Sequence, residues 1–210
     1  MNKLGDLSCN EFLTELASAA PAPGGGGGAA MAGALAAALA SMVANLTIGK
    51  EKFADREPEV KELLEQAEAE RVRLLTLVDE DAAVFNSFMS CYKLPKTTDE
   101  EKAARTAAIR AAAKQAATVP LNIARSSFAV LKLADRLVVS GNPGVITDAA
   151  CSGLLARAAL RCAEYNVRIN LGLTKDEAWN AQAAADLKQL LADAEALETR
   201  LLAVTDKALQ

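Results

Sequence analysis

No histidine occurs among the 210 residues, so any proton transfer must fall to Asp, Glu, Lys, Tyr or Cys. This excludes Ser–His–Asp and Cys–His nucleophilic catalysis and any histidine-ligated metal. The four cysteines, Cys9, Cys91, Cys151 and Cys162, form no C-x-x-C pair. They suggest neither a zinc site nor a secreted disulfide framework, and no metal is expected. The candidates left are a few polar residues in apolar surroundings. Asp81 stands three residues after Val78 and four before Phe85, which puts it on the apolar side of a helix. Burial there would raise its pKa unless a cation or N–H donors hold it charged. The competing reading is an edge carboxylate that reaches solvent, or an ion pair. Asp79 and Glu80 point elsewhere on the same wheel, toward solvent. Asp148 follows the turn Gly141-Asn142-Pro143-Gly144 and is either a helix cap or a chemical group. Lys96 closes Tyr92-Lys93-Leu94-Pro95-Lys96, a loop from which it can reach a ligand or simply solvate. Asn166 and Asn170 are four apart and share a helical face. Near a core they need partners: each other, the backbone or a ligand.

A second kind of candidate is backbone. Gly24 to Gly28 are five consecutive glycines after Pro21-Ala22-Pro23, and no charge follows until Lys50. A glycine loop opening a helix presents free N–H groups and a positive dipole end, which is an anion site; it can equally be a joint before a core helix. Gly24, Gly25 and Gly26 are therefore candidates for an anionic ligand group. Asn45, at the far end of the apolar run, is a cap or a ligand contact. No strand pattern precedes the glycines and no Gly-Lys-Ser/Thr follows, so the dinucleotide and P-loop readings fail.

The elements that must carry these residues are helices. Ser8 with Glu11 forms a capping box, and a first helix using Phe12, Leu13 and Leu16 inwardly runs to about Ala20. In the second helix Met31, Leu35, Leu39, Met42 and Leu46 form one face. Ala29, Gly33, Ala37 and Ser41 form a ridge of small residues. The bulky face is expected to enter the core and the small ridge to receive a close helix. The run is long enough to span a bilayer, but alanine and glycine carry little transfer energy, and no Trp or Tyr belt flanks it. A membrane span is rejected. Pro58 opens a long helix reaching about Tyr92, with the stripe Leu63, Leu64, Ala67, Leu74, Leu75, Val78, Ala82, Phe85 and Met89. At about 50 Å it is longer than a small domain needs. Thr98 with Glu101 starts a helix that runs to about Ser140, kinks at Pro120 and stops at Gly141. Thr147 or Asp148 should cap the next helix, which ends at Gly172. Thr174 with Glu177 should start the last.

Composition agrees with this reading. Hydrophobic residues make up 51% and aromatics only 4%, so the packing is alanine-mediated helix on helix. A net charge of −4 gives nucleic-acid binding no electrostatic support. Met1 to Ser8 contain no apolar signal core, which reads as cytoplasmic. The expected fold class is all-α: a single-domain bundle of five to six helices over residues 1–210.

Several stretches together resemble a known family. They are Pro21-Ala22-Pro23-Gly24-Gly25-Gly26, Ser41-Met42-Val43-Ala44-Asn45-Leu46-Thr47-Ile48-Gly49-Lys50, Val78-Asp79-Glu80-Asp81-Ala82, Tyr92-Lys93-Leu94-Pro95-Lys96, Gly141-Asn142-Pro143, Thr147-Asp148 and Asn166-Val167-Arg168-Ile169-Asn170-Leu171. In this order they resemble the cyclodeaminase/cyclohydrolase family of folate enzymes. The resemblance implies a dimeric five-helix bundle with its site in a cleft near the subunit interface. It also implies chemistry at the carbon bridging N5 and N10 of tetrahydrofolate. The cyclodeaminase forms the 5,10-methenyl cation from 5-formimino-tetrahydrofolate and releases ammonia; the cyclohydrolase opens that cation to 10-formyl-tetrahydrofolate. On this reading Asp81 and Asp148 are base and electrostatic partner, and Lys96 orients or protonates. Asn45, Asn142, Asn166 and Asn170 hold the pterin. The glycine loop and Lys50 meet the glutamate carboxylates of a folate, with or without a polyglutamate tail. The substrate is a tetrahydrofolate derivative, and no covalently bound cofactor is implied. Gly27 and Gly28 depart from the family, which usually has Ser and then a β-branched residue there, so a hydroxyl donor is missing. The rival from another class is a non-catalytic helical dimer that binds folate or a protein partner.

Overall fold

The computed structural model describes residues 3–210; Met1 and Asn2, the start of the stretch read for a signal, lie outside them. Six α-helices form the fold, and no strand occurs among the described residues: α1 (Cys9–Leu16), α2 (Gly25–Asn45), α3 (Glu57–Cys91), α4 (Asp99–Ser140), α5 (Ile146–Thr174) and α6 (Glu177–Ala208). Two of the expected capping boxes are present. The Ser8 hydroxyl accepts the Glu11 N–H and the Thr98 hydroxyl accepts the Glu101 N–H, while each glutamate reaches back to the cap.

The alanine content shows why α2 can sit at the centre. It packs against α3, α4 and α5, and α6 covers α4 and α5. Its inward residues are small: Ala29, Ala30, Gly33, Ala36, Ala37, Ala40, Ser41 and Ala44 are buried. Short side chains let neighbouring backbones approach closely, and Ser152 of α5 donates to the Ala36 carbonyl at 2.7 Å. The small ridge takes the close helix contact expected of it, but the bulky face does not enter the core. Leu35, Met42 and Leu46 are exposed at 52%, 36% and 41%, so the bulky stripe points out of the bundle. By length and composition α2 could cross a bilayer; here it is the central helix.

Other boundaries moved for identifiable reasons. Helix α1 ends at Leu16, and Leu13 faces solvent. Toward the end of α3, Phe88 is buried while Phe85 and Met89 are exposed, one position off the expected stripe. Neither Thr147 nor Asp148 caps α5. Residues Pro143–Val145 form a 3-10 turn that runs straight into the helix at Ile146, and Asp148 lies in its first turn. Helix α5 passes through Gly172 and stops at Lys175, which takes the left-handed conformation (φ 55°). Asp176, not Thr174, caps α6 by accepting the Trp179 N–H at 3.1 Å. Asp79 is not a free surface charge, since it accepts the Leu4 N–H at 2.6 Å and ties the N-terminal segment to α3.

Candidate active site

Where α2 begins, the chain forms a cleft of about 300 Å³. The strap Pro21–Gly26 forms one wall. Asp81, Phe85 and Phe88 of α3, Ala116 and Pro120 of α4, and Asn166, Ile169 and Asn170 of α5 form the rest. The lining is apolar except for one carboxylate and two amides.

Asp81 enters this cleft because the stripe of α3 turns it inward between Val78 and Phe85. It lies against the start of α2, whose N-cap, Gly24, offers no side chain to the opening N–H groups. The Asp81 carboxylate lies beside the Gly27 backbone, whose N–H acts to lower its pKa. The anion at this glycine-opened helix end is therefore one of the protein's own carboxylates. Gly26 makes the fit possible: a Cβ there would lie 2.6 Å from Asp81 Cγ and 2.7 Å from Oδ2, well inside van der Waals contact. Burial pushes the Asp81 carboxyl above its ordinary value, and the Gly27 N–H only partly offsets this. Desolvation therefore dominates and raises the affinity of this carboxyl group for a proton, as general acid–base work requires.

The asparagines are arranged by the backbone. Pro120 lies inside α4 and has no N–H, so the Ala116 carbonyl four residues earlier loses its helical donor. Asn170 Nδ2 supplies one from α5, at 3.0 Å, and also donates to the Asn166 carbonyl at 2.8 Å. Asn166 Nδ2 donates to the Cys162 carbonyl at 2.9 Å. Asn170 thus commits both of its amide N–H groups and Asn166 one of its two, which leaves each side chain its Oδ1 as an acceptor for a ligand. The alternatives the sequence left open resolve as both: backbone partners and a place in the cleft. The Pro120–Asn170 pairing had a signal in the sequence, a mid-helix proline whose orphaned carbonyl needs a donor. The aromatic wall of Phe85 and Phe88 was missed as a site feature because Phe85 read as core and Phe88 lay off the expected stripe.

The remaining candidates lie elsewhere. Asn45 and Lys50 are exposed at the opposite end of α2, about 30 Å from the glycines at the rise of an α-helix. Lys50 and the glycine loop therefore do not meet within one chain. Asn142 is used locally. Its N–H donates to Thr47 Oγ1 at 2.8 Å, its Nδ2 to the Leu46 carbonyl at 3.1 Å, and its Oδ1 accepts the Gly144 N–H at 3.0 Å. Asp148 is half-buried at that same end. Lys96 is exposed in the loop between α3 and α4, past the end of α3 that carries Phe88, and does not line the cleft.

These features define an all-α bundle with a carboxylate-bearing apolar cleft at the glycine-rich start of its central helix. The formiminotransferase-cyclodeaminase family model matches residues 8–189, and the chain belongs to that family. It is 45% identical to a methenyltetrahydrofolate cyclohydrolase of Methylorubrum extorquens over 94% of this chain and 95% of the relative. It is 34% identical to the formimidoyltransferase-cyclodeaminase of Sus scrofa over 87% of this chain. That match spans only 34% of the pig protein, so the chain corresponds to about a third of it. The crystal structure of formiminotetrahydrofolate cyclodeaminase from Thermotoga maritima superposes with a TM-score of 0.88 at 30% identity, over 98% of each chain.

Proposed function

We propose that this protein is a folate one-carbon enzyme acting at the carbon that bridges N5 and N10 of tetrahydrofolate, and that its reaction is hydrolysis of the 5,10-methenyl cation to 10-formyl-tetrahydrofolate. The observation that carries this reading is the 45% identity, over nearly the full length of both chains, to a methenyltetrahydrofolate cyclohydrolase. The desolvated Asp81 in an apolar, aromatic-walled cleft supports it chemically. A delocalised cation gains from a carboxylate in low dielectric. Water adding to the bridging carbon must lose a proton, and N5 must gain one as the C–N5 bond breaks. Asp81 accepts the first proton and returns it to N5, and the hydroxyl proton of the adduct leaves to solvent as the formyl C=O forms. The second reading, cyclodeamination of 5-formimino-tetrahydrofolate, has specific support from the close superposition on a formiminotetrahydrofolate cyclodeaminase. There N10 attacks the formimino carbon, ammonia leaves and the same cation forms.

The pterin lies between Phe85 and the Gly24–Gly26 strap, with Asn166 and Asn170 accepting its N–H groups. Lys96 reaches the cleft mouth from its loop. The working unit is a homodimer. Two adjacent helices leave apolar stripes uncovered: Leu35, Met42 and Leu46 on α2, and Leu154, Tyr165 and Ile169 on α5. Covering them with a second copy also supplies the charged end of α2, with Lys50 and Asp148, which one chain alone keeps far from its own cleft. The compartment is cytoplasmic. The site draws on no metal, and the partners are folate and a second copy, not nucleic acid or membrane.

The test is optical. The purified protein receives 5,10-methenyl-tetrahydrofolate in one cuvette and 5-formimino-tetrahydrofolate in another, and the methenyl absorbance is followed against protein-free controls. An accelerated fall in the first alone is the expected result. A rise in the second with ammonia release makes the protein a cyclodeaminase. No change in either leaves the folate-binding, non-catalytic dimer.

A further inference from the structure

Glycine occurs at five consecutive positions, but the positions do not carry equal constraints. A Cβ at Gly28 would meet Leu16 Cδ2 at 3.9 Å, an ordinary contact, and one at Gly27 would meet Pro23 Cβ at 3.3 Å. At Gly25 it would meet the Asn166 amide at 3.4 Å, an ordinary contact; only at Gly26 would it overlap a functional group, 2.6 Å from Cγ and 2.7 Å from Oδ2 of Asp81. Both partners sit on rigid elements. Gly26 is in the first turn of α2 and buried, and Asp81 lies in the middle of α3. The carboxylate lies against both Gly26 and Gly27, so it cannot move aside without leaving the start of α2. No cation among the described residues lines the cleft, and the Asp81 side chain, carried by α3, is set against the first turn of α2.

We infer that Gly26 is a positioning residue: Gly26 and Gly27, in the first turn of α2, are the seat of Asp81 and fix this carboxylate in the cleft instead of binding the acidic tail of a ligand. The catalytic half of the inference rests on the function proposed above; the structural half does not. Loss of the seat drives Asp81 outward toward water. Its proton affinity then falls to that of an ordinary carboxyl, and the acid and base of the reaction is out of place.

The test compares Gly26→Ala with Gly28→Ala, alone and on an Asp81→Ala background. Alanine improves helix propensity at both positions by the same amount, so what the new methyl group meets is the only difference. Gly28→Ala should raise Tm by about 2–4 °C with kcat unchanged. Gly26→Ala should lower Tm. It should also reduce kcat at least about 100-fold, the usual range for a lost acid–base group, and move the acid limb of the residual rate profile to lower pH. On Asp81→Ala, which vacates the space, Gly26→Ala should raise Tm as Gly28→Ala does and cost no further kcat. A Gly26→Ala single variant that fails to fold while the double variant folds supports the seat equally well. Wild-type kcat and an unmoved acid limb in Gly26→Ala overturn the inference, as does destabilisation of equal size with and without Asp81. If the wild type turns over neither folate, the proposed function falls and the catalytic half falls with it; the Tm comparison still decides the seat.

Discussion

Asn170→Ala removes the donor to a carbonyl that Pro120 has already deprived of its helical partner. The Ala116 carbonyl sits in the wall of the cleft on a residue only 8% exposed, so water replaces the lost bond poorly. Leaving a buried acceptor unpaired costs about 1–3 kcal/mol. The bond to the Asn166 carbonyl adds little, because that group keeps its own helical partner in α5. Taking about 2 kcal/mol for the variant, Tm should drop by roughly 4–8 °C for a chain of this size. Pro120→Ala supplies an N–H that can close the missing bond to Ala116. On that background Asn170→Ala should cost no more than about 0.5–1 kcal/mol, giving a coupling of about 1–1.5 kcal/mol. The assay is thermal unfolding of the four proteins by circular dichroism. Chain concentration is matched, because association would make Tm concentration-dependent. If Asn170→Ala costs the same with proline or alanine at position 120, the amide is not standing in for the missing N–H, and its place in the cleft needs another cause.

Three further outcomes follow from the same geometry. Asp81→Asn should lose about 10²–10⁴-fold in kcat in the methenyl-hydrolysis assay. It should also be more stable than wild type at pH 7. Burial raises the Asp81 pKa in the folded state, so the wild type gives up stability as pH rises from about 4 through that raised value, and the Tm gap should close again on acidification. Arg200→Ala should cost about 3 kcal/mol in a denaturant titration. Asp135 is 3% exposed, Arg200 Nε donates to it at 2.7 Å, and a buried carboxylate stripped of its cation is expensive. Leu154→Arg, on the exposed stripe of α5, should shift the protein toward monomer in light scattering and lower turnover without lowering helicity.

Helix number and order were legible because capping boxes, Pro58 and the long apolar stripes are local signals. The inward face of α2 was not. Periodicity reports that Leu35, Met42 and Leu46 share a side, but not whether that side meets the core or the outside. In a bundle built on alanine, the small side chains let the helices close, so the small face went inward. The end of α5 was misread because Gly172 looked like a stop, while the chain ran on to a left-handed Lys175. Asp81 could be picked out because a charge in an apolar stripe is conspicuous within a few residues of sequence. Its seat could not, because the contact between Gly26 and Asp81 joins positions 55 apart. The glycines did announce an anion site; what the sequence could not say was that the anion belongs to the protein.

Apart from Lys96 in the loop between α3 and α4, the residues singled out in the sequence fall into two groups at opposite ends of α2: Gly24–Gly26, Asp81, Asn166 and Asn170 at its start, and Asn45, Lys50, Asn142 and Asp148 near its end. Helix α5 runs antiparallel beside it, from Asp148 at one end to Asn170 at the other. A single chain cannot combine the groups across about 30 Å. A two-fold axis through the uncovered stripes of α2 and α5 can, because it lays each start against the other copy's end. The proposed dimer therefore has two composite sites, each with Asp81 from one copy and Asp148 from the other. Subunit mixing tests this directly. Asp81→Asn and Asp148→Asn homodimers should both be inactive, since each lesion is present in both sites. In a heterodimer both lesions fall in one site and the other is intact. Random mixing makes half the dimers heterodimers, so about a quarter of wild-type turnover should return. The measurement is methenyl hydrolysis after co-refolding of an equimolar mixture, with each homodimer refolded alone as control. Recovery near a quarter establishes shared sites. Two inactive homodimers with no recovery on mixing would confine each site to one chain. An active Asp148→Asn homodimer would remove Asp148, and with it the far end of α2, from the reaction.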